Sequence, residues 1–281
     1  MKNFSSFFLL LLIVVGCNSA FAQGPTPLYA GVIDNEQLVE IDTSGAIFTI
    51  VGTTTMTTDV GSVDGTFGLA LHPITDVMYI LYNNGDGECD RHLGTVDLTS
   101  GAITDIGNAG NLVDIDFGAD GTLYATTGAS CAPDYTFVEV NILTAATTDI
   151  LDHISSTYGS TIGFNSFTGE MMHSDNNDIS TIDLGTDIET VGVSSGHPGE
   201  SHALVVLNPT LAWVISYDDL YTLDPTTGDF IYISSLPDYY HAMSFGPMLC
   251  TPMSLDVTSY SVCEGTEITI KFIQIKIKEY R

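Results

Sequence analysis

The sequence predicts an all-β fold, a ring of about five four-stranded units closed by its own two ends. Three observations predict it. A hairpin motif recurs five times at a nearly even interval, a second strand motif interleaves with it, and half a unit stands at each end of the repeat region.

The hairpin motif reads apolar-x-apolar-Asp, then a turn rich in Thr, Ser and Gly, then a β-branched run. Its copies are Leu38-Val-Glu-Ile-Asp42-Thr-Ser-Gly45, Leu93-Gly-Thr-Val-Asp97-Leu-Thr-Ser-Gly101, Phe137-Val-Glu-Val-Asn141, Ile179-Ser-Thr-Ile-Asp183 and Leu220-Tyr-Thr-Leu-Asp224-Pro-Thr-Thr-Gly228. They start at 38, 93, 137, 179 and 220, so the spacings are 55, 44, 42 and 41. The alternation marks a strand with one buried face, and the Asp or Asn stands where an Asx-turn opens. Asp42, Asp97, Asn141, Asp183 and Asp224 therefore read as turn formers, although a repeated row of acids resembles catalytic residues. The first spacing, longer than the rest, marks an irregular insertion.

The second motif runs from small or apolar residues through a Gly, Pro or Asn turn to a strand with an aromatic residue or Met. It covers Gly68 to Tyr79, Asp114 to Tyr124, Ile162 to Met172 and Ala203 to Trp213, and begins a fifth time at Ala242-Met-Ser-Phe245 without its second strand. Leu28-Tyr-Ala-Gly-Val32 supplies that strand from the other end, matching Leu123-Tyr-Ala-Thr-Thr127. A split unit of this kind closes a ring and leaves no free edge. Four strands per unit at a period of about 40–50 residues is the signature of a β-propeller; six blades is the alternative count to five.

The pattern from Leu28 to Pro247 resembles the surface-layer type of bacterial β-propeller, whose units carry a Leu-Tyr-Val/Ala strand and an Ile-Asp-x-x-Thr-Gly turn. That resemblance implies architecture and no particular activity. Cys250-Thr-Pro and Ser261-Val-Cys263-Glu-Gly265 resemble the opening of an immunoglobulin-like module of bacterial surface proteins, truncated here, since such a module needs about 100 residues. An edge strand with Ile273, Ile275 and Ile277 on one face is the other reading of that tail.

The chain opens with Lys2, an apolar run from Phe7 to Val15, and small residues to Ala22, the three parts of a secretory signal. The expected organisation is a signal peptide over 1–22 with cleavage near Ala22, a propeller over 23–249, and the tail over 250–281. Val14-Val15-Gly16-Cys17 allows a second reading, a lipoprotein anchored at Cys17. The expected location is thus secreted or on the outer cell surface. No later stretch is long and apolar enough to span a bilayer.

Formal net charge is −29, from 35 acidic against six basic residues. Between Asn3 and Ile270 the sole basic side chain is Arg91. Such a body repels phosphate backbones, which argues against nucleic acid and leaves divalent cations and cationic partners open.

Four cysteines follow the signal, Cys89, Cys131, Cys250 and Cys263. In an exported chain pairing is expected. Cys89 and Cys131 occupy the same loop of consecutive units, so a bridge between them is reasonable; Cys250 and Cys263 would pair with each other or elsewhere. Acidic loops supply the candidate metal ligands. Asp86, Glu88 and Asp90 in one, with Asp114, Asp116 and Asp120 in the other, offer hard oxygens suited to calcium. His202 and His241 share one repeat position near the channel, where packing is the expected role. No nucleophile elbow, phosphate loop or His-Glu-x-x-His occurs. The expectation is an exported non-catalytic propeller that binds a protein or glycan ligand at the cell surface, as an adhesion or interaction module. The alternative is a hydrolase or lactonase-like enzyme with a metal site at the channel mouth.

Overall fold

The computed structural model describes residues 27–42, 49–85, 87, 89–128, 136–151, 160–174, 176 and 178–247. Within them the chain forms twenty-one strands and no helix. The expected signal, the lipidation cysteine Cys17 and the C-terminal module lie outside the described residues. No described helix is long and apolar enough to cross a membrane.

In chain order the first blade receives β1 (Leu28–Val32), β2 (Gln37–Asp42) and β3 (Thr49–Thr55). A two-residue strand, β4 (Thr57–Thr58), precedes blade II, which is β5 (Thr66–Leu71), β6 (Met78–Asn83), β7 (Arg91–Val96) and β8 (Ala102–Gly110). Blade III is β9 (Leu112–Phe117), β10 (Leu123–Thr127), β11 (Phe137–Val140) and β12 (Thr147–Leu151). Blade IV is β13 (Thr161–Asn165), β14 (Glu170–Ser174), β15 (Ile179–Asp183) and β16 (Ile188–Val191). Blade V is β17 (Ala203–Asn208), β18 (Leu211–Ser216), β19 (Asp219–Asp224) and β20 (Asp229–Ser235), and β21 (Tyr240–Phe245) returns to blade I.

The sheet order β21-β1-β2-β3 closes the ring as the split repeat predicts. Leu28 pairs with Phe245, Ala30 with Met243 and Gly31 with Ala242, all antiparallel. The innermost strands β21, β5, β9, β13 and β17 neighbour one another in turn and lead back to β21. The count is five blades, not six.

Burial falls from the axis outward. β10 is buried at every position and β6 at all but Asn83, because a second strand is covered on both faces by adjacent blades. β3 and β16 are mostly exposed and carry Thr and Glu, which suits strands with a free edge. Apolar clusters fill the interfaces between blades; one joins Tyr124 and Phe137 of blade III to Ile162, Met171 and Ile182 of blade IV.

Four of the five repeated Asp and Asn residues form the expected turns, and the turn after Asp42 lies outside the described residues. Asp97 Oδ1 accepts the N–H groups of Thr99 and Ser100, Asp183 Oδ1 those of Gly185 and Thr186, and Asp224 Oδ1 that of Thr226. Asn141 Oδ1 accepts Leu143 N–H in the same way. Hydrogen bonds led by those from the Ser100 backbone to Asp97 and the Thr226 hydroxyl to Asp224 lower both carboxyl pKa values.

The long first spacing has a structural cause. After β3 the chain crosses the outer edge of blade II, where Thr57 donates to Gly101 O and β4 runs parallel to β8. It then returns inward through Gly65 before β5 begins. A shorter version joins blade IV to blade V, where Ser195 N donates to Gly228 O.

Candidate functional site

The innermost strands enter the channel at equivalent repeat positions, Phe67, Val113, Ser160, His202 and His241, one from each blade. At the junction of blades V, I and II these residues gather other aromatic groups around them. The imidazoles of His202 and His241 stack with centroids 4.0 Å apart and planes 12° from parallel. Tyr239 meets both edge-on, at 5.3 and 4.6 Å, and its hydroxyl lies 3.0 Å from His202 Nε2. Tyr217 stacks on Tyr239 and meets His202 edge-on at 5.1 Å. Phe67 approaches His241 edge-on, and the Arg91 guanidinium stands 3.8 Å above the Phe67 ring.

Burial sets the protonation of this cluster. Desolvation pushes His202 down to about 4, so its ring is neutral at pH 7 and shares an uncharged hydrogen bond between Nε2 and the Tyr239 hydroxyl. Desolvation, then the adjacent His202 and Arg91, push His241 well below its ordinary value. His241 Nε2 is buried without a hydrogen-bond partner.

The rim is acidic. Tyr217 bonds to Glu200, which raises the phenol pKa, and Glu200 Oε2 lies 3.9 Å from His202 Nε2. Tyr217 is 45% exposed and holds φ at 55° in the turn between β18 and β19. A bulky residue in that region is strained, and such strain collects at functional positions.

The candidate calcium ligands have different partners. Asp114 and Asp116 lie on β9 with their carboxylates turned to β13 of the next blade. Asp114 Oδ2 accepts Ile162 N–H at 2.9 Å and the Thr161 hydroxyl, while Oδ1 accepts Ile115 N–H. Asp116 Oδ2 accepts Phe164 N–H at 2.6 Å. Desolvation raises Asp114 well above the ordinary carboxyl value and Asp116 to about 6. Asp120 closes a turn by accepting Thr122 N–H, and Asp90 accepts from Asn108 Nδ2. Asp86 and Glu88 lie outside the described residues. Among the described residues no three His, Cys, Asp or Glu side chains form a metal-holding group. Cys89 is disulfide-bonded; Cys131, Cys250 and Cys263 lie outside the described residues.

His202 and His241 are thus brought together as their shared repeat position implies. Tyr217, Tyr239 and Glu200 escaped the sequence reading because they sit in turns outside both motifs. The available signal was an aromatic residue at Tyr217 where a turn favours Gly, Asn or Asp.

No known family profile matches the chain, and no curated protein matches it. Solved structures do. TolB from Acinetobacter baumannii superposes with a TM-score of 0.50 at 12% identity, over 75% of this chain and 54% of that one. A protein of unknown function from Bacteroides caccae gives 0.49 at 9% identity, over 78% and 98% of the two chains. Virginiamycin B lyase from Staphylococcus aureus gives 0.46 at 12%, over 77% and 73%. The ring of blades and the likeness to TolB define the class, a five-bladed β-propeller. At these identities the likeness concerns fold alone, and function has to be argued from the site.

Proposed function

We propose that this propeller is an exported binding module whose channel mouth captures a basic segment of a partner protein at the cell surface. The observation that carries it is the exposed, strained Tyr217, bonded to Glu200 and stacked over Tyr239 at the rim of the His202–His241 pair. Aromatic faces beside a carboxylate attract ammonium and guanidinium groups. The net charge of the chain, −29, draws such groups toward it from a distance. Export by the segment ending near Ala22, with Cys17 as the alternative anchor, belongs to the same reading.

Calorimetric titration with a deca-lysine peptide tests it. The expected result is one site per chain, weakened at least tenfold by Tyr217→Ala at fixed ionic strength. Equal binding by Tyr217→Ala and the parent would place the interaction on the acidic surface at large and sink the mouth as its site. Sequencing the amino terminus of the secreted protein separates a Gln23 start from a lipidated Cys17.

A further inference from the structure

Blade IV departs from its four sisters inside its own core. The middle position of the second strand is Ala30, Ile80, Ala125 and Val214 in blades I, II, III and V, each fully buried. In blade IV it is His173, which is 1% exposed. The residues paired with these across the third strand are Val39, Gly94, Val138 and Tyr221, and in blade IV Ser180. The repeat is therefore its own control. Four blades form without a polar pair here, so the fold does not require one, and buried polar groups bring a desolvation cost.

These groups form a connected line across blade IV. Ser160 Oγ, at the blade's entry to the channel ring, lies 2.9 Å from His173 Nε2. On the other side of the ring, His173 Nδ1 lies 3.2 Å from Ser180 Oγ and 3.3 Å from Glu189 Oε1. Ser180 Oγ donates to Glu189 Oε1 at 2.5 Å. A hydroxyl within reach of one imidazole nitrogen, with a carboxylate orienting the other, is the arrangement that activates serine. Register puts all four on the face that blade IV turns to blade III. There Thr126, on the facing side of β10, holds a buried hydroxyl without a hydrogen-bond partner.

We propose that Ser160, His173 and Glu189 form a nucleophilic relay that hydrolyses carboxylic esters at the channel mouth. Ser160 Oγ bonds to the ester carbonyl carbon while its proton passes to His173 Nε2. The carbon–oxygen bond to the alcohol then breaks, and His173 returns the proton to the departing alkoxide. Water, deprotonated by His173, attacks the acyl-serine, releasing the carboxylic acid and restoring the Ser160 hydroxyl. Glu189 and Ser180 are positioning residues that hold Nδ1 protonated and Nε2 free. The acidic body favours neutral or cationic esters over anionic ones. This activity does not depend on the binding reading, whose residues belong to blades I, II and V.

The test is labelling of the full chain with a fluorophosphonate reagent, followed by peptide mass mapping and by hydrolysis of p-nitrophenyl acetate. One adduct is expected, on Ser160, and none in Ser160→Ala. His173→Val, the residue of blade V, is expected to cut labelling at least a hundredfold while the folded signal and melting temperature are kept or raised. Glu189→Gln is expected to slow labelling about tenfold, with Glu189→Asp partly restoring it. No Ser160 adduct on the folded parent, or equal labelling of parent and His173→Val, would overturn the proposal. So would a collapse of the fold in both His173→Val and Ser160→Ala, because the network would then be structural.

Discussion

The Asp116 carboxylate on β9 accepts the backbone N–H of Phe164 on β13 at 2.6 Å, joining the innermost strands of two blades. Ser244 does the same between blades I and II, where its hydroxyl accepts Leu71 N–H at 3.1 Å. Leu71 and Phe164 hold equivalent repeat positions, so these contacts are one device used twice. A side chain on one inner strand serves as the hydrogen-bond partner for the open backbone edge of the next.

The first prediction follows from that contact. Asp116→Asn replaces one accepting oxygen with an N–H₂ group facing Phe164 N–H or Phe117 N–H, and should cost about 1–3 kcal/mol. The cost should depend on pH. Asp116 has its pKa raised to about 6 by burial, so its stabilising share is full below pH 4 and is lost as pH rises through 6. The gap between parent and variant should therefore be wider at pH 4 than at pH 7.5, by on the order of 2 kcal/mol. Urea denaturation at the two pH values measures it.

The turn glycines give a second prediction. Gly101 and Gly228 have φ of 73° and 75°, and a Cβ there would stand 2.2 Å from Thr55 O and 2.0 Å from Val193 O. Those oxygens belong to the strand or linker arriving from the preceding blade. Gly169 has φ of 82°, and a Cβ there would meet nothing within 4 Å. Alanine at Gly169 should cost about 1–2 kcal/mol for its left-handed backbone alone. Alanine at Gly101 or Gly228 should cost clearly more, because the crossing chain must also move. Melting temperatures of the three variants rank them.

Much of this fold was legible because it rests on repetition. The Asp- or Asn-led turn marks each hairpin, and Leu28–Val32 marks the closing strand by its likeness to Leu123–Thr127. The sites were less legible because they depend on register. Ser160, His173, Ser180 and Glu189 are spread over 30 residues with no shared motif, and only strand pairing aligns them. Asp114-Ile-Asp116 resembled a cation loop, yet its alternation places both acids on one strand face, toward the N–H groups of the adjacent blade. Polar residues substituted into a repeat's core carried the more useful signal.

Closure of the ring supports a third prediction. Leu28 is fully buried on β1 between β21 and β2, so Leu28→Ala opens a cavity in the closing blade and should cost about 2–5 kcal/mol. Val51, 58% exposed on the outer strand β3, should tolerate alanine within about 0.5 kcal/mol. Both changes fall in the same blade, so denaturation midpoints compare the axis directly with the rim. Equal costs would contradict the outward decline in packing.

The last prediction concerns acid. His241 is held well below its ordinary pKa, chiefly by desolvation, then by His202 and Arg91. An unfolded chain takes up this proton near pH 6.5 while the folded chain resists, so the group's stabilising share is complete above that value and is lost as pH falls. Asp114 and Asp116 work in the opposite sense, which masks the effect in the parent protein. His241→Phe separates the two, because Phe67 already holds the equivalent position in blade II and a phenyl ring can stack without titrating. The variant should match the parent within about 1 kcal/mol at pH 7.5 and exceed it by about 1 kcal/mol or more at pH 4.5. Thermal melts across that range read the difference, and a gap that stays constant with pH would show that the His241 ring is protonated as readily in the fold as in water.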